Sequence, residues 1–288
     1  MILVTGATGN LGKATIDSLL NRRVSPNNIT ALVRDENKST ELRSKGLQIK
    51  LGDYQDLESL KSAFRGVNKL LLVSSSSDIS KRFEQHKNAI NAAREAGVGH
   101  IIYTSFDMKN LHQSIMGEEV RYHAYTADHL KQIGIPYTLM NNTMYADMIP
   151  FLVGKDILNN GISIPAGDGK TPFLPIKEMA EANAVVLTTP GHENKEYVIA
   201  AETAFSFAEI ADLISDITGK IITYQQPEVS SYIAQLTDTG ASEDDAAYIA
   251  RFCGAIANGE FDTNKSDVKQ LLGRSPVSLK DFLQNLYS

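Results

Sequence analysis

Thr5-Gly6-Ala7-Thr8-Gly9-Asn10-Leu11-Gly12 closes the β-rich run of residues 2–5 and opens a helical pattern over residues 11–22. Its glycines are spaced G-x-x-G-x-x-G. A tight turn needs a residue that tolerates positive φ, and a pyrophosphate reaches the backbone only where side chains are absent. The helix beyond the turn offers that anion unpaired N–H groups and a partial positive charge. A lone glycine triplet says little. Between a strand and a helix, inside a β-α-β unit, it points to dinucleotide binding by Gly6, Ala7, Thr8, Gly9, Asn10, Leu11 and Gly12.

Outward from the turn, strand and helix patterns alternate. Leu11, Ile16, Leu19 and Leu20 form the apolar stripe of the first helix. Residues 29–33, 47–51 and 70–73 read as the next strands, the last nearly all apolar, as a strand buried on both faces should be. A helix over 82–96 ends at Gly97 and leads into a strand at 100–104. A helix over 120–133 leads to another strand at 137–140. This rhythm predicts an α/β fold, a doubly wound parallel sheet of the Rossmann type. After about residue 150 the pattern changes. Residues 154–170 are rich in glycine and turn formers, 176–187 read as a helix and 196–200 as a strand returning to the main sheet. The tail from Ser206 is largely helical, with a strand at 221–224. The expected organisation is a dinucleotide-binding core over 1–150, rejoined by 176–201. A smaller α/β substrate lobe, built from 151–175 and 202–288, is interwoven with it.

Composition narrows the function class. A chain of 288 residues with 42% hydrophobic and 22% charged residues is not mainly disordered. A net charge of −6 argues against nucleic acid, which wants a clustered basic face. No run of about eighteen apolar residues occurs, the length a spanning helix needs. Met1-Ile2-Leu3-Val4 reads as a strand and lacks the positive region of a signal peptide. Cys253 is the only cysteine, which excludes an intramolecular disulfide and a cysteine zinc cage. His123 and His129 fall too far round one helix to share a metal, so none is expected. These features together suggest a cytoplasmic protein.

Residues after the strands carry the cofactor preference. Arg34 ends the second strand, where an arginine suits the 2′-phosphate of NADP(H) and an acid suits the ribose of NAD(H). Asp35 sits beside it, so a one-residue shift would reverse the preference, and a solvated Arg-Asp-Glu turn is the plain alternative. NADP(H) is favoured and NAD(H) stays possible. Asp53, after the third strand, suits the adenine amino group or the cap of the next helix. Ser74, Ser75 and Ser76 end the fourth strand, where small hydroxyls fit beside a ribose or form a simple turn. His86 reads as structural, Lys170 as a loop lysine, and Cys253 as a small core residue. Ser242-Glu243-Asp244-Asp245 reads as a helix cap with a solvated first turn.

The opening loop, Leu32-Val33-Arg34, Gly52-Asp53-Tyr54 and Tyr103-Thr104-Ser105 together resemble the atypical short-chain dehydrogenase/reductases. Within them the chain looks most like the NmrA-like group, and there like the bacterial NAD(P)H:quinone oxidoreductases. The likeness runs nearly the full length, through Gln85-His86 with Asn88, Asn142 with Tyr145, Gly167-Asp168-Gly169-Lys170 and Leu271-Leu272-Gly273-Arg274. The resemblance implies that Thr104 and Ser105 end the strand of the superfamily's catalytic serine. It also implies that Asn142 and Tyr145 border the nicotinamide and the substrate. Ordinary members of the superfamily carry a Tyr-x-x-x-Lys pair on the following helix, where the tyrosine shuttles a proton to or from the substrate oxygen. Counted back from Gly134-Ile135, those positions are Ala124 and Asp128 here. Tyr125 with His129 has the spacing but is turned by about 100°. Tyr122 is followed at that spacing by Thr126. The quinone reductases of the group also lack the tyrosine, but they keep a lysine where this chain has Asp128.

The missing pair discriminates between reactions. Reducing a ketone or epimerising a sugar nucleotide moves a proton on a weakly acidic hydroxyl and needs a placed acid/base. A quinone accepts hydride to give a much less basic phenolate, so holding ring against nicotinamide carries most of the work. The expected function is hydride transfer from NAD(P)H to a quinone-like small molecule without the dyad. Ser105 and His123 are the candidates for a catalytic role, His123 as a proton donor or simply as a packing residue. One alternative is a redox-sensing NmrA-like regulator that binds NAD(P) without turnover. The other is a nucleoside-diphosphate-sugar epimerase or carbonyl reductase. No nucleic-acid or membrane partner is expected, and a homodimer is.

Overall fold

In the computed structural model, which describes residues 1–154 and 156–288, the glycine turn joins β1 (Ile2–Val4) to α1 (Asn10–Asn21). There follow β2 (Ile29–Val33), α2 (Thr40–Ser44), β3 (Gln48–Leu51), α3 (Leu57–Phe64), β4 (Lys69–Leu72) and α4 (Ile79–Glu95). Next come β5 (His100–Phe106), α5 (Glu118–Gln132) and β6 (Tyr137–Asn142). Further along lie α6 (Ile149–Val153), α7 (Ile157–Asn160), β7 (Ile162–Ser163), α8 (Ile176–Thr188) and β8 (Lys195–Ile199). The chain ends with α9 (Phe207–Thr218), β9 (Tyr224–Gln225), α10 (Val229–Asp238), α11 (Glu243–Ala257), α12 (Val268–Leu272) and α13 (Leu279–Tyr287).

Seven strands form one sheet in the order β3-β2-β1-β4-β5-β6-β8, and every pairing is parallel. Strand periodicity sends neighbouring side chains to opposite faces. Val4, Ala31, Leu71, Ile102 and Met140 pack towards α1 and α8. Leu3, Leu32, Leu70, Tyr103 and Leu139 pack towards α3, α4 and α5. Both faces are thus covered, which is why β4 and the middle of β5 carry almost no polar residue. The expected doubly wound α/β fold is what forms.

Strand order reverses between β1 and β4, and the crevice at that reversal opens above the carboxyl ends of the strands. A third apolar cluster, with Phe173, Phe207, Cys253, Phe261 and Leu283, holds the later helices together. There β7 pairs with β9 in a separate two-stranded sheet. The strand expected at 221–224 begins later. Gly219 stops α9 in a left-handed conformation, Ile222 N–H goes to Ser215 Oγ, and Ile221 is 90% exposed. The ladder therefore pairs Ile162 with Tyr224 and Ser163 with Gln225. Ser242 Oγ accepts the Asp245 N–H, so the acidic stretch is a helix cap as read from the sequence. No helix among the described residues is long and apolar enough to cross a membrane.

Candidate active site

A cavity of about 460 Å³ lies at the reversal point. Gly6, Thr8, Gly9, Asn10, Leu11, Gly12, Arg34, Asp53, Ser74, Ser75, Ser76 and Tyr145 line it. The candidate cofactor residues of the sequence therefore meet in one place, apart from Ala7, which is fully buried behind the loop. Gly6 has φ +57, a conformation that favours glycine. A Cβ on Gly12 would stand 2.2 Å from Gly6 O, so helix and turn touch backbone to backbone. Asp56, Asp78, Ser206, Ser242 and Ser278 each cap the helix they precede with a side chain. Gly9, ahead of α1, offers none. The first amides of α1 are left for a ligand anion.

Arg34 and Asp35 part company. Arg34 is exposed at the cavity and makes no ion pair among the described residues. The Asp35 carboxylate accepts the Asn37 N–H at 3.0 Å and caps a short turn, away from the lining. Asp53 Oδ1 accepts the Gln55 N–H at 2.9 Å while its residue lines the cavity. Tyr54, Gln85, Asp147, Met148 and Ile176 also line it and were missed from sequence. Tyr54 and Gln85 carried a signal, their places in Gly52-Asp53-Tyr54 and Gln85-His86. Asp147 Oδ2 accepts the Ile176 N–H at 2.8 Å and so ties the segment after β6 to α8.

The wall at the end of β4 is held by side chains from other elements. Val73 N–H donates to Thr5 Oγ1 at 2.8 Å, Ser74 N–H to Thr104 Oγ1 at 2.9 Å, and Ser75 N–H to His86 Nε2 at 2.8 Å. Thr104 thus braces the wall rather than lining the cavity. Ser105 ends up buried next to it, and it too stays out of the lining. Asn142 stays out of the lining as well; it is 2% exposed, and neither atom of its amide has a partner among the described residues. A buried amide in that state wants a ligand. The glycine cradle, the uncapped α1 and the free guanidinium fit these residues to a phosphate-bearing dinucleotide.

Of the two counted dyad positions, Ala124 is buried on the inner face of α5 and Asp128 is exposed. Asp128 and Tyr125 lie on an outer groove with Phe83, His129 and Gln132. Tyr122, His123 and Thr126 point inward. Arg82 Nη1 donates to Tyr122 Oη at 3.0 Å, and Arg82 Nε donates to Ser77 O at 2.8 Å. Neither Tyr122 nor Tyr145 is primed to lose a proton. Burial raises Tyr122 against the lowering influence of Arg82. Burial, Tyr122 and Asp147 push Tyr145 up to about 12. His86, expected to be structural, is buried, and burial with help from Arg82 brings it down to about 3. His123 is likewise buried and held well below its ordinary value. Lys170 pairs with Glu209 at 2.6 Å, so it is a loop lysine.

The model of the NmrA-like family matches residues 1–283. Quinone oxidoreductase 2 of Escherichia coli is 35% identical over 290 residues, covering 100% of this chain and 99% of that one. The triphenylmethane reductase of Citrobacter sp. complexed with NADP(H) superposes with a TM-score of 0.92 at 34% identity, covering 100% of each chain. The NADPH-dependent quinone oxidoreductase of Escherichia coli complexed with NADPH gives 0.92 at 33% identity, again over 100% of each. Loop, sheet order and full-length match agree: the chain belongs to the NmrA-like family.

Proposed function

We propose that the protein passes a hydride from NADPH to a quinone-like small molecule held at the carboxyl edge of β5 and β6. It is an NAD(P)H-dependent oxidoreductase, and the acceptor is the open term. One observation supports a quinone most: the inner face of α5 offers no tyrosine–lysine pair, and burial raises both nearby phenols. Ketone or sugar chemistry needs a placed tyrosine that exchanges its proton near neutrality, which neither raised phenol does, whereas a phenolate needs much less help. NADPH, when bound, supplies the hydride, that is two electrons with one hydrogen nucleus. The chain's part is to hold donor and acceptor face to face and keep water out.

On this reading Gly6, Thr8, Gly9, Asn10, Leu11 and Gly12 hold the pyrophosphate, with Ala7 packed behind them. Arg34 takes the 2′-phosphate, Asp53 the adenine, and Ser74, Ser75 and Ser76 flank a ribose. Asn142 and Tyr145 border the acceptor, with Thr104 and Ser105 bracing the wall behind them. The core of 1–150 with 176–201 carries the cofactor, and 151–175 with 202–288 shape the acceptor wall. The compartment is the cytoplasm. Anaerobic NADPH oxidation over a panel of benzo- and naphthoquinones tests the reading. Acceptor-dependent turnover is expected. Tight NADPH binding with no turnover on any quinone would refute it and favour a sensor.

A further inference from the structure

A buried polar chain joins α4, β5 and α5, and its hydrogens can be assigned one by one. His86 Nε2 accepts the Ser75 N–H at 2.8 Å, so that nitrogen must carry a lone pair. Burial keeps the ring neutral, which puts its hydrogen on Nδ1, and Nδ1–H donates to Thr126 Oγ1 at 2.9 Å. Thr126 gives its own hydrogen to Tyr122 O at 2.6 Å. The Tyr103 hydroxyl stands 3.4 Å from His86 Nδ1 and 2.9 Å from His123 Nδ1. His86 Nδ1 already carries a hydrogen, so of those two nitrogens only His123 Nδ1 can accept, and the Tyr103 hydroxyl is assigned as its donor. The ring hydrogen of a neutral His123 is then on Nε2.

That N–H makes no hydrogen bond to the described residues, and His123 keeps 6% of its surface exposed. Phe106 stacks on the ring with centroids 5.6 Å apart, and Tyr122 lies against it at 4.2 Å. Phe106 is the last residue of β5 and the register partner of Asn142. The free N–H therefore sits at the sheet edge assigned above to the acceptor.

We propose that His123 is a catalytic residue, a neutral Nε2–H donor locked in that tautomer by Tyr103 and His86, which hydrogen-bonds the oxygen of the quinone-like acceptor. This rests on the acceptor reading above. Hydride uptake by the quinone, with NADP+ as the oxidised product, leaves a hydroquinone monoanion. The charge gathers on the oxygen that Nε2–H faces, and the anion takes its proton from water. His123 keeps its own proton throughout. A fixed donor aimed at a developing oxyanion needs no titrating acid, and a neutral imidazole serves in that role. The groups facing the ring are Arg82 and His86 from α4, Tyr103 from β5 and Tyr122 from α5. Burial first, then His86 and Arg82, hold His123 neutral.

Nitrogen spectra of isotope-labelled histidines in the NADPH-loaded protein, without acceptor, read the tautomer directly. His123 is expected as Nε2–H, unmoved across the range where a free histidine titrates. Tyr103→Phe is expected to release the tautomer in the same spectrum and to slow menadione reduction. His123→Leu is expected to lower kcat for menadione about 100-fold with the KM for NADPH kept, the loss typical of one oxyanion donor. His123→Gln, which retains an N–H, is expected to recover part of it. An Nδ1–H tautomer, or a His123 that titrates normally, overturns the assignment whatever the enzyme reduces. A His123→Leu enzyme as fast as the wild type overturns the catalytic role. A wild type that reduces no quinone overturns the acceptor reading instead, and the spectrum still decides the tautomer.

Discussion

Gly12→Ala tests whether the loop is a cradle built by backbone contact. The new Cβ would stand 2.2 Å from Gly6 O, 2.7 Å from Gly6 C and 3.0 Å from Ala7 Cα, all backbone atoms with no rotamer to yield. Restoring ordinary contact needs α1 and the turn to separate by about 1 Å. Overpacking of this kind costs about 1–3 kcal/mol, which in a chain of this size lowers Tm by roughly 2–12 °C. The same shift withdraws the α1 amides from the pyrophosphate, and a misplacement of about 1 Å is worth about 100-fold. Gly9→Ala provides the contrast, because its Cβ meets only Gly6 O at 3.3 Å. It is expected to leave Tm close to wild type and still weaken NADPH, since the pyrophosphate approaches there. The chain has no tryptophan, so NADPH fluorescence can be titrated without protein overlap, alongside thermal melts. Wild-type Tm and NADPH affinity in Gly12→Ala would refute the reasoning.

Arg34→Ala is expected to lower NADPH affinity about 10- to 100-fold, from about 1.5–3 kcal/mol for a charge-assisted contact, and to spare NADH. An unchanged NADPH-to-NADH preference by calorimetry would sink the 2′-phosphate role. Asn142→Leu removes a buried amide with no partner, so the ligand-free protein is expected to gain about 1–3 kcal/mol in urea unfolding while turnover falls. A variant less stable than wild type and fully active would contradict both halves. Acid is expected to destabilise the fold through its buried histidines. The folded-state value of His86 lies at about 3, below the unfolded 6.5, so its contribution is complete above the unfolded value and is lost as pH falls towards the folded one. At pH 4.5 that is a loss of about 3 kcal/mol from this residue. Urea unfolding of wild type and His86→Gln at neutral and acid pH checks it, and equal pH slopes would count against it.

Local signals made most of the core legible. Leu70-Leu71-Leu72 and Ile101-Ile102-Tyr103 announce strands buried on both faces, because no helix-period stripe fits such runs. The glycine turn is legible for the same reason, since its geometry depends on neighbours in sequence. α2 escaped, and α3 was expected only as an unbounded helix after Asp53, because five and eight residues show too little period to read. The Arg34/Asp35 ambiguity yielded only to the structure, because a capping bond to Asn37 decides which of the two faces the cavity. Spacing alone could not say which other side chains of α5 face inward: Tyr122, His123 and Thr126 are buried with Ala124, while Tyr125 and Asp128 line an outer groove. His86, Tyr103 and His123 come from three elements and meet only in packing, so nothing local could announce them.

The polar groups that stand in for a proton-transfer pair also brace the cofactor wall. Thr5, Thr104 and His86 each accept a backbone N–H from the segment after β4, and the Tyr54 hydroxyl donates to Val73 O at 2.8 Å. That wall is fixed by the chain itself before any ligand contributes. A reaction that relies on proximity gains from such rigidity, because the geometry of donor and acceptor is set in advance. His86 links the two tasks. Its Nε2 holds the wall through Ser75, and its Nδ1, by keeping its hydrogen, dictates how Tyr103 and then His123 must orient theirs. Cofactor placement and acceptor polarisation thus share one buried ring. A substitution at His86 should therefore loosen NADPH and slow turnover together, whereas one at Tyr103 should slow turnover alone.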